Sequence, residues 1–339
     1  MSTKVSLKDI AKIVGVSIPL VSYVLNGKGK ENRVSEDTEK RIKEVAKSLN
    51  YRPNLNARSL KTNKTRTIGV ILADISNPFF SNLARVIEDE AFNQNYTVIF
   101  GSSDEKMEKF DRVLELLLDR QVDGLIISPP QGSKQRISKL KEQKIPFVLI
   151  DRYFEGLAYN YVVADNFNAS SLATNYLIDK GHKKIATIGY QSELAHYTDR
   201  YEGYIDALIR ANIIPSEDIM KKVNHLYLKR DMKKSIDELM NRSEVDAIYF
   251  QTNTLAEEGL RQLISLGRDI LQRIDVVVFD QNSTYHFLEN FVPYISQPIK
   301  KMGKKALRIL IENINQPDSK SVQIKLNANL ELENENQNL

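Results

Sequence analysis

Cysteine is absent from this chain of 339 residues. Without it the protein can form no disulfide, no thiolate nucleophile and no cysteine-based zinc site, which fits a reducing compartment. Long hydrophobic runs are absent too, because no apolar stretch approaches the roughly 20 residues that a membrane-spanning helix needs. The N-terminal segment is polar and has no signal-peptide pattern. These absences predict a cytoplasmic protein with no membrane association.

Signs of catalysis are also missing. The sequence contains no HExxH, GxSxG, P-loop or GxGxxG motif. Paired acids such as Asp246 and Asp280 are better explained as strand-end and ligand groups than as an acid–base pair. Of the four histidines, His196 falls among residues expected in a cleft, His182 is expected in a turn, and His225 and His286 have no evident partner. We expect no catalytic site, no metal site and no cofactor.

The most informative segment is residues 6–26, which indicates two short helices joined at a glycine. Ser6 is placed to cap the first helix, and Asp9, three residues later, can return a hydrogen bond. Gly15 ends this helix, and Ser17 is placed to cap the next. Two helices of about eight residues with a glycine turn are what a protein needs to lay one helix in a DNA groove.

The second helix keeps a small outward face. At 100° per residue its apolar side chains fall on one side, and those of Pro19, Ser22 and Tyr23 fall on the other. A third helix is predicted after a Ser35 cap, and three short helices can close one small core. The inward-facing residues are Leu7, Ile10, Ala11 and Val14 in the first helix, Leu20, Val21, Val24 and Leu25 in the second, and Ile42, Val45, Ala46 and Leu49 in the third.

Charge separates this segment from the rest of the chain. Residues 1–64 hold 14 Lys and Arg against 6 Asp and Glu, a net charge of +8. Since the whole chain has 48 against 44, a net of +4, residues 65–339 carry a net of −4. Periodicity alone would also fit an ordinary helical hairpin inside a larger domain. A basic head on a mildly acidic body instead predicts an arm that contacts nucleic-acid phosphates.

From Ile68 onward, short β-rich runs alternate with longer helical ones, such as 79–94 and 105–120. Near-continuous apolar strands separated by helices predict parallel sheets covered on both faces. The pattern restarts at 184–190, which predicts two similar α/β lobes. The strand candidates are 68–74, 96–103, 123–128, 147–151 and 162–164, followed by 184–190, 225–228, 246–250 and 275–280.

Polar and aromatic residues follow these strands. Ligands of parallel α/β sheets bind beyond the carboxyl ends of the strands, where these residues are expected to meet. Carboxylates, amides and an arginine beside Phe or Tyr suit a polyhydroxylated ligand stacked on a ring. Asp and Asn after a strand can also merely cap the next helix. The segments concerned are 74–80, Asp151–Arg152, Asp165–Asn166, 196–200, Thr252–Asn253 and 280–282.

Several motifs follow one another along the chain: SLKDIAKIVGVS, VSYVLNG, YRPNLNARSL, IGVILADISNPFF, KGHKKIA, RYEGY, VVFD and ISQP. In this order they make residues 6–330 resemble the LacI family of bacterial transcriptional repressors. The resemblance implies an N-terminal all-α helix-turn-helix head with a hinge helix. It also implies an α/β body of two Rossmann-like parallel-sheet lobes, similar to periplasmic sugar-binding proteins and joined by three crossings. The implied limits are 1–50 for the head, 51–65 for the hinge helix and linker, 66–161 and 294–320 for the N-terminal lobe, 162–293 and 321–331 for the C-terminal lobe, and 332–339 for a tail.

The resemblance also implies binding residues. In that family the head reads the major groove, and a leucine of the hinge helix, at the position of Leu60, wedges between two base pairs of the minor groove. The candidate DNA contacts are Ser6, Ser17, Ile18, Pro19, Ser22, Tyr23, Asn26, Lys28, Lys30, Arg33, Tyr51, Asn54, Ala57, Arg58 and Leu60. Family effector contacts fall on Phe79, Asp151, His196, Arg200, Tyr249, Asn253 and Asp280, with Ser76 and Arg152 as neighbours.

The chain departs from the family at three places. Ile18-Pro19-Leu20 and Tyr23 stand where many relatives carry polar residues and arginine, so Tyr23 cannot make the arginine contact to guanine. The operator of a relative therefore cannot be transferred to this chain. The GKGKENR stretch at 27–33 is longer than in the lactose repressor, and its cations are expected to contact phosphate unless the loop is merely solvated. Asn253 replaces the usual aspartate, which removes a charge from the ligand site.

We therefore expect a homodimeric repressor of a carbohydrate-utilisation operon, bound to a near-palindromic operator and controlled by a sugar or sugar phosphate between its lobes. The effector could be an inducer or a corepressor. One alternative is a global catabolite-type regulator with a phosphocarrier protein as corepressor. Another, of a different class, is a solute-binding protein without DNA function. Helix 79–94 is expected at the dimer interface, and the tail lacks the leucine heptads of a coiled-coil tetramer.

Overall fold

The computed structural model describes residues 5–51, 64–242, 244–267, 269–282, 285, 288, 291–317 and 319–332. The chain forms two compact units, Met1–Thr65 and Arg66–Leu339. Within the described residues, no helix combines the length and the apolar character that crossing a membrane requires.

The first unit contains three helices, α1 (Leu7–Val14), α2 (Ile18–Leu25) and α3 (Glu36–Ser48). The backbone N–H and the hydroxyl of Ser6 both donate to the Asp9 carboxylate, at 2.8 and 2.7 Å. Gly15 ends α1 with a left-handed φ of 76°, which glycine adopts without strain. The Ser17 hydroxyl accepts from the backbone N–H at the start of α2 at 3.4 Å. One apolar core joins the helices, and its buried residues are Ile10, Ala11, Val14, Val21, Val24, Ile42 and Ala46.

The second unit alternates strands and helices. In chain order they are β1 (Thr67–Leu72), α4 (Pro78–Asn93), β2 (Thr97–Ser102), α5 (Met107–Asp119), β3 (Gly124–Ile127), α6 (Lys134–Glu142), β4 (Phe147–Ile150), β5 (Tyr161–Ala164), α7 (Asn166–Asp179), β6 (Ile185–Tyr190), α8 (Ala195–Arg210), β7 (Met220–Val223), α9 (Leu228–Arg242), β8 (Ala247–Phe250), α10 (Asn253–Leu266), α11 (Ile270–Arg273), β9 (Asp275–Phe279), β10 (Tyr294–Ser296), α12 (Ile299–Asn315), β11 (Gln323–Leu326) and β12 (Asn329–Glu331). Two 3₁₀ turns, Glu217–Ile219 and His225–Tyr227, flank β7.

The strands form two six-stranded sheets. The first lobe has the order β11-β5-β4-β3-β1-β2, and the second lobe has the order β12-β10-β9-β8-β6-β7. The strand pairs are parallel except β10 with β12. Each sheet carries an apolar cluster on both faces: α4 and α12 cover one face of the first, α5 and α6 the other, while α9–α11 and α7–α8 cover the second. This arrangement confirms the predicted fold class for the three-helix head and the two parallel-sheet lobes, whereas most of the predicted hinge segment, 51–65, lies outside the described residues.

The chain passes between the lobes after β5, after β10 and between β11 and β12. Strand pairing corrects the lobe limits that the resemblance implied. In the first lobe, Tyr161 of β5 pairs with both Leu149 and Gln323, so β5 and β11 belong there. In the second lobe, Ile295 of β10 lies opposite Phe279. These strands are short, and hydrogen bonds to a distant neighbour, which the sequence alone does not reveal, decide their lobe.

The strand predicted at 225–228 is wrong. His225–Tyr227 is a 3₁₀ turn, and Leu228 begins α9. The strand at this edge is β7, which pairs with β6 from Met220 to Val223. Two lysines inside β7 disguise it, as is common at sheet edges. Leu226 is 77% exposed, so the apolar character of the HLYL run does not reflect burial.

Gly203 allows α7 and α8 to pack closely. A Cβ on Gly203 would lie 2.1 Å from the carbonyl oxygen of Phe167 and 3.1 Å from the Cβ of Ser170. The next residue, Tyr204, is fully buried, and its hydroxyl donates to the carbonyl of Ile185 at 2.6 Å. The glycine and second tyrosine of the RYEGY motif therefore fix α8 against α7 and against the sheet.

We expect Gly203→Ala to lower the free energy of unfolding by about 2 kcal/mol, because the new methyl group meets backbone rather than a movable side chain. The better helix propensity of alanine offsets part of this cost. The matched control is Gly303→Ala in α12, whose Cβ would meet Val86 Cγ1 at 2.7 Å, a side-chain atom. Its expected change is within about 1 kcal/mol. Equal losses for the two variants in urea unfolding would contradict this explanation.

Candidate functional site

The outward face of α2 is open to solvent. Ile18 and Tyr23 keep 43% and 41% of their surface exposed. Pro19 is exposed as well, and Ser22 is half-buried. Since the core residues of α2 lie on its other side, the helix presents these four side chains without disturbing the packing of the head.

The other predicted DNA contacts differ in how their side chains are used. Asn26 closes α2 by donating to the Ser22 carbonyl at 2.7 Å. Tyr51 packs against the core of the head. Ser6 and Ser17 serve as helix caps. Lys28, Lys30 and Arg33 are exposed between α2 and α3, whereas Asn54, Ala57, Arg58 and Leu60 lie outside the described residues.

In the second unit, the carboxyl ends of the two sheets meet at one cleft. Asn253, at the start of α10, donates to the side-chain oxygen of Asn77 at 3.0 Å, and Asn77 donates back at 3.2 Å. The hydroxyl of Ser192 donates to Gln131 at 3.1 Å. Both contacts join loops that follow strands of different lobes. The strand-end residues that the sequence analysis grouped are therefore brought towards one another.

Arg152, which follows β4, forms a partly buried ion pair with Glu105, in which 3% of the Arg152 side chain and 26% of the Glu105 side chain are exposed. Its Nη1 donates to one oxygen of Glu105 at 2.7 Å, and its Nη2 donates to the other oxygen. Its Nε donates to Asp151 at 3.1 Å. Burial alone would raise the pKa of Glu105, but the Arg152 guanidinium holds it below its ordinary value. Burial prevails at Asp151 and raises its pKa, despite Arg152 and Arg200.

Arg200, in α8, is the second buried guanidinium of the cleft. Its Nε donates to the side-chain oxygen of Asn166 at 2.8 Å, and its Nη1 donates to the carbonyl of Gln251 at 2.6 Å. The guanidinium carbon lies 3.4 Å from the centroid of the Phe279 ring, which is a cation–π contact. Arg200 is therefore fixed by α7, by the end of β8 and by β9 at once.

Two histidines and two tyrosines form an aromatic wall. The ring of His196 lies 3.9 Å from that of Tyr197, and His225 stacks on Tyr190 at 3.5 Å. Burial and then the two guanidinium charges lower the pKa of His196 well below its ordinary value. Partial burial also lowers the pKa of His225. Both rings are thus neutral at pH 7, and among the described residues the buried Nδ1 of His196 has no hydrogen-bond partner.

Asp280, at the end of β9, is the third carboxyl group of the cleft. It accepts from the side-chain N–H of Gln297 at 2.7 Å. Burial raises the pKa of Asp280 to about 6, although Arg200 and the Gln297 hydrogen bond act in the opposite direction. Asp280, Gln297 and Phe79 border a cavity of about 350 Å³. The cleft therefore has both an aromatic ring and a carboxyl group beside a space of ligand size.

Family models match both units. The model described as bacterial regulatory proteins, lacI family, matches residues 6–54. The model described as periplasmic binding proteins and sugar binding domain of LacI family matches residues 65–332, most of the chain. The chain belongs to the LacI family. It is a DNA-binding transcriptional regulator, which confirms the resemblance seen in its motifs.

Curated LacI-family relatives match over nearly their full length. The HTH-type transcriptional regulator RegA of Clostridium saccharobutylicum is 32% identical over 314 residues, which cover 92% of this chain and 93% of the relative. The ribose operon repressor of Halalkalibacterium halodurans is 31% identical over 315 residues, covering 92% and 91%. The lac repressor dimer bound to operator and the anti-inducer ONPF has a TM-score of 0.83 at 21% identity, covering 97% of this chain and 98% of that chain, so it shares the fold.

Most of the effector residues predicted for this LacI-family cleft are brought together. The charges of Arg152 and Arg200 act on the pKa values of Asp151 and His196, and the charges of Arg200 and Asp151 act on the pKa of Asp280. Phe79 borders the cavity of Asp280, and Asn253 bridges the lobes. Ser76 is exposed instead, and its hydroxyl donates to Asp74 at 2.7 Å. Tyr249 is fully enclosed, because the alternation of β8 turns it towards α7, where its hydroxyl accepts from Ser170 at 3.0 Å.

Three side chains of the second unit have partners that the sequence did not reveal. Glu105 lies only three residues beyond β2, so the strand-end rule that selected the others could have found it. His225 was hidden by the wrongly predicted strand, yet it stacks on the aromatic wall. His182 has a partner at the amino ends of the strands of the second sheet, where its Nε2 lies 2.6 Å from Asp275.

Proposed function

We propose that this LacI-family chain represses a carbohydrate-utilisation operon and that a small sugar or sugar phosphate in the cleft controls its operator affinity. The observation that carries the proposal is that Asp280 borders a cavity of about 350 Å³ while the charge of Arg200 acts on both Asp280 and His196, whose buried Nδ1 has no hydrogen-bond partner among the described residues. These groups supply donors and acceptors at fixed positions, which is what sugar hydroxyls need. The relative named as a ribose operon repressor supports a sugar as the effector.

The aromatic residues support the same ligand class. Phe79 borders the 350 Å³ cavity, and the wall of His196, Tyr197, Tyr190 and His225 lies close enough to Arg152 for its charge to act on both histidines. A pyranose or furanose ring has apolar C–H faces and polar edges. Such a ring can lay a C–H face on an aromatic side chain while its hydroxyls reach the charged groups.

Control would act through the arrangement of the lobes. The reciprocal Asn77–Asn253 pair and the Ser192–Gln131 bond form only in an arrangement that brings these loops together. A saturating ligand that binds this arrangement more tightly than a more open one multiplies the equilibrium constant between the two arrangements by the ratio of the two affinities. In a symmetric homodimer, that shift would change how well two heads fit a near-palindromic operator.

DNA contact is assigned to the head and the hinge. Ile18, Pro19, Ser22 and Tyr23 would contact base edges, with apolar groups against thymine methyls and the tyrosine hydroxyl as a hydrogen-bonding group. Lys28, Lys30 and Arg33 would contact phosphates. A mobility-shift selection on fragments of the source genome tests the assignment. We expect a small set of fragments to bind in competitor DNA, and binding of all fragments with equal affinity at every salt concentration would contradict sequence-specific repression.

Tyr23→Ala is expected to weaken binding to a selected fragment by about 10- to 100-fold, the range for loss of a base contact, with little effect on non-specific binding. The head should stay folded, because Tyr23 is 41% exposed. Fluorescence anisotropy on the selected fragment and on a scrambled one measures both affinities. Ile13→Ala is the matched control, since Ile13 is 57% exposed but lies on α1. Equal losses for the two variants would refute base reading by this face.

A further inference from the structure

We propose that the cleft selects an uncharged sugar and that Glu105 is the residue that excludes the phosphorylated form. This inference rests on the proposed function and narrows its ligand class. Glu105 is not one of the positions that the resemblance assigns to effector binding. Its role follows from what it does to Arg152.

Glu105 occupies the part of Arg152 that would bind an anion. Phosphate and carboxylate groups both bind arginine through two parallel N–H donors. In this structure both terminal nitrogens of Arg152 donate to Glu105, and Nη1 also lies 3.4 Å from the carbonyl of Pro129. The remaining nitrogen, Nε, donates to Asp151. A phosphate could reach this guanidinium only by displacing a carboxylate of this chain.

The other basic groups do not supply the missing charge. Arg200 holds Asn166 and the Gln251 carbonyl, and it lies close enough to Asp151 and Asp280 to affect the ionisation of both. The two histidines of the aromatic wall are neutral at pH 7 because their pKa values are lowered. Two guanidinium groups therefore face three carboxyl groups. A phosphate dianion entering among these carboxyl groups would be repelled at short range in a poorly solvated site.

A neutral sugar meets no such penalty. Its hydroxyl groups can donate to the carboxyl groups and accept from Arg200, and the neutral ring of His196 can pair with a hydroxyl through Nδ1. Each of these contacts leaves the Glu105–Arg152 pair intact. The charges already present in the cleft thus favour binding of a sugar over binding of its phosphate ester, although the two ligands have the same ring.

The test compares the wild-type full-length protein with Glu105→Gln and with a control that removes the same charge, Glu108→Gln. Glu108 is 90% exposed at the start of α5, and its carboxylate lies 3.7 Å from the guanidinium of Arg112, which is 81% exposed. Each protein is titrated with D-ribose and ribose 5-phosphate, with D-glucose and glucose 6-phosphate, and with inorganic phosphate, by calorimetry and thermal unfolding. The basic head can bind phosphate in all three proteins, so the difference between the two glutamine variants isolates the cleft.

For whichever of the two sugars binds, we expect the wild type and Glu108→Gln to bind the neutral sugar at least about tenfold more tightly than its phosphate ester. Glu105→Gln removes a negative charge and one of the two acceptor oxygens, which frees a terminal donor of Arg152. The preference should therefore shrink by about tenfold, and inorganic phosphate should stabilise this variant more than the other two proteins. If Glu105→Gln does not fold, the proposal is tested by the wild-type protein alone, through its relative affinity for the neutral sugar and the phosphate ester. Tighter binding of the phosphate ester to wild type would overturn this assignment and leave a sugar-controlled repressor. If no saccharide or phosphate ester in a broader panel binds any of the proteins, the proposed function itself is overturned.

Discussion

Replacing Arg200 with alanine is expected to lower the free energy of unfolding of the second unit by about 3–5 kcal/mol, the range for removing one member of a buried charged network. The substitution removes a cation that stabilises the ionised forms of the buried Asp151 and Asp280, although Asp151 keeps its hydrogen bond from Arg152. It also removes the hydrogen bonds to Asn166 and Gln251. Sugar binding should be lost as well. Urea unfolding at pH 7.5 and titration with the sugar that binds the wild type measure the two effects.

Arg210→Ala is the matched control, because Arg210 lies on the same helix and is 69% exposed. Its pair with Asp206 is on the surface, so the expected loss is below about 0.5 kcal/mol. Arg200→Lys should be intermediate, since lysine keeps the charge but not the forked geometry that reaches two acceptors. Similar stability losses for Arg200→Ala and Arg210→Ala would show that the buried network has little energetic importance.

Asp280→Asn is expected to make the sugar-free protein more stable above pH 7, by about 2–3 kcal/mol. Burial raises the pKa of Asp280 from 3.8 to about 6, so the folded state binds a proton that the unfolded state releases between these values. The cost of the ionised form is fully present above pH 6 and disappears as the pH falls towards 4. Asparagine removes that cost and can still accept from Gln297.

The same substitution should flatten the pH dependence of stability between pH 4 and 6. Asp119→Asn, on the exposed surface of α5, is the control and should keep the wild-type profile. Urea unfolding at half-unit pH intervals gives both curves. An Asp280→Asn protein that is less stable than the wild type at pH 8 would contradict the explanation. Sugar binding should weaken in this variant, because sugar hydroxyls would no longer donate to the Asp280 carboxylate. Such a loss of function with a gain in stability is common at ligand sites.

Local sequence signals predicted the head and the centre of each sheet. The Ser6–Asp9 cap, Gly15 and the Ser17 cap act within a few residues, so their meaning does not depend on the rest of the fold. The central strands carry near-continuous apolar runs because both of their faces are buried. Edge strands carry no such signal. This is why β7, with its two lysines, was missed and why an exposed HLYL run was mistaken for a strand.

Long-range partners were the part that the sequence could not supply. Strand-end position was enough to nominate Asp151, Arg152 and Asp280, whose surroundings follow from the parallel sheet. It could not show that Arg152 pairs with Glu105, 47 residues away. Nor could it show that Asn253 pairs with Asn77 across the lobes, 176 residues away. The resemblance nominated Tyr249, but alternation within β8 places this side chain in the core.

Under the proposed function, the cleft and the DNA-contact surface belong to one coupled equilibrium. The most direct measurement is the operator affinity of the full-length protein with and without a saturating neutral sugar, together with the affinity for that sugar with and without operator. Thermodynamic linkage requires the same factor in both directions, whether the sugar releases the operator or tightens its binding. We expect a factor of about 5–150 for the wild type, the usual range for such coupling. An operator affinity that does not change with any sugar that binds the cleft would contradict the account.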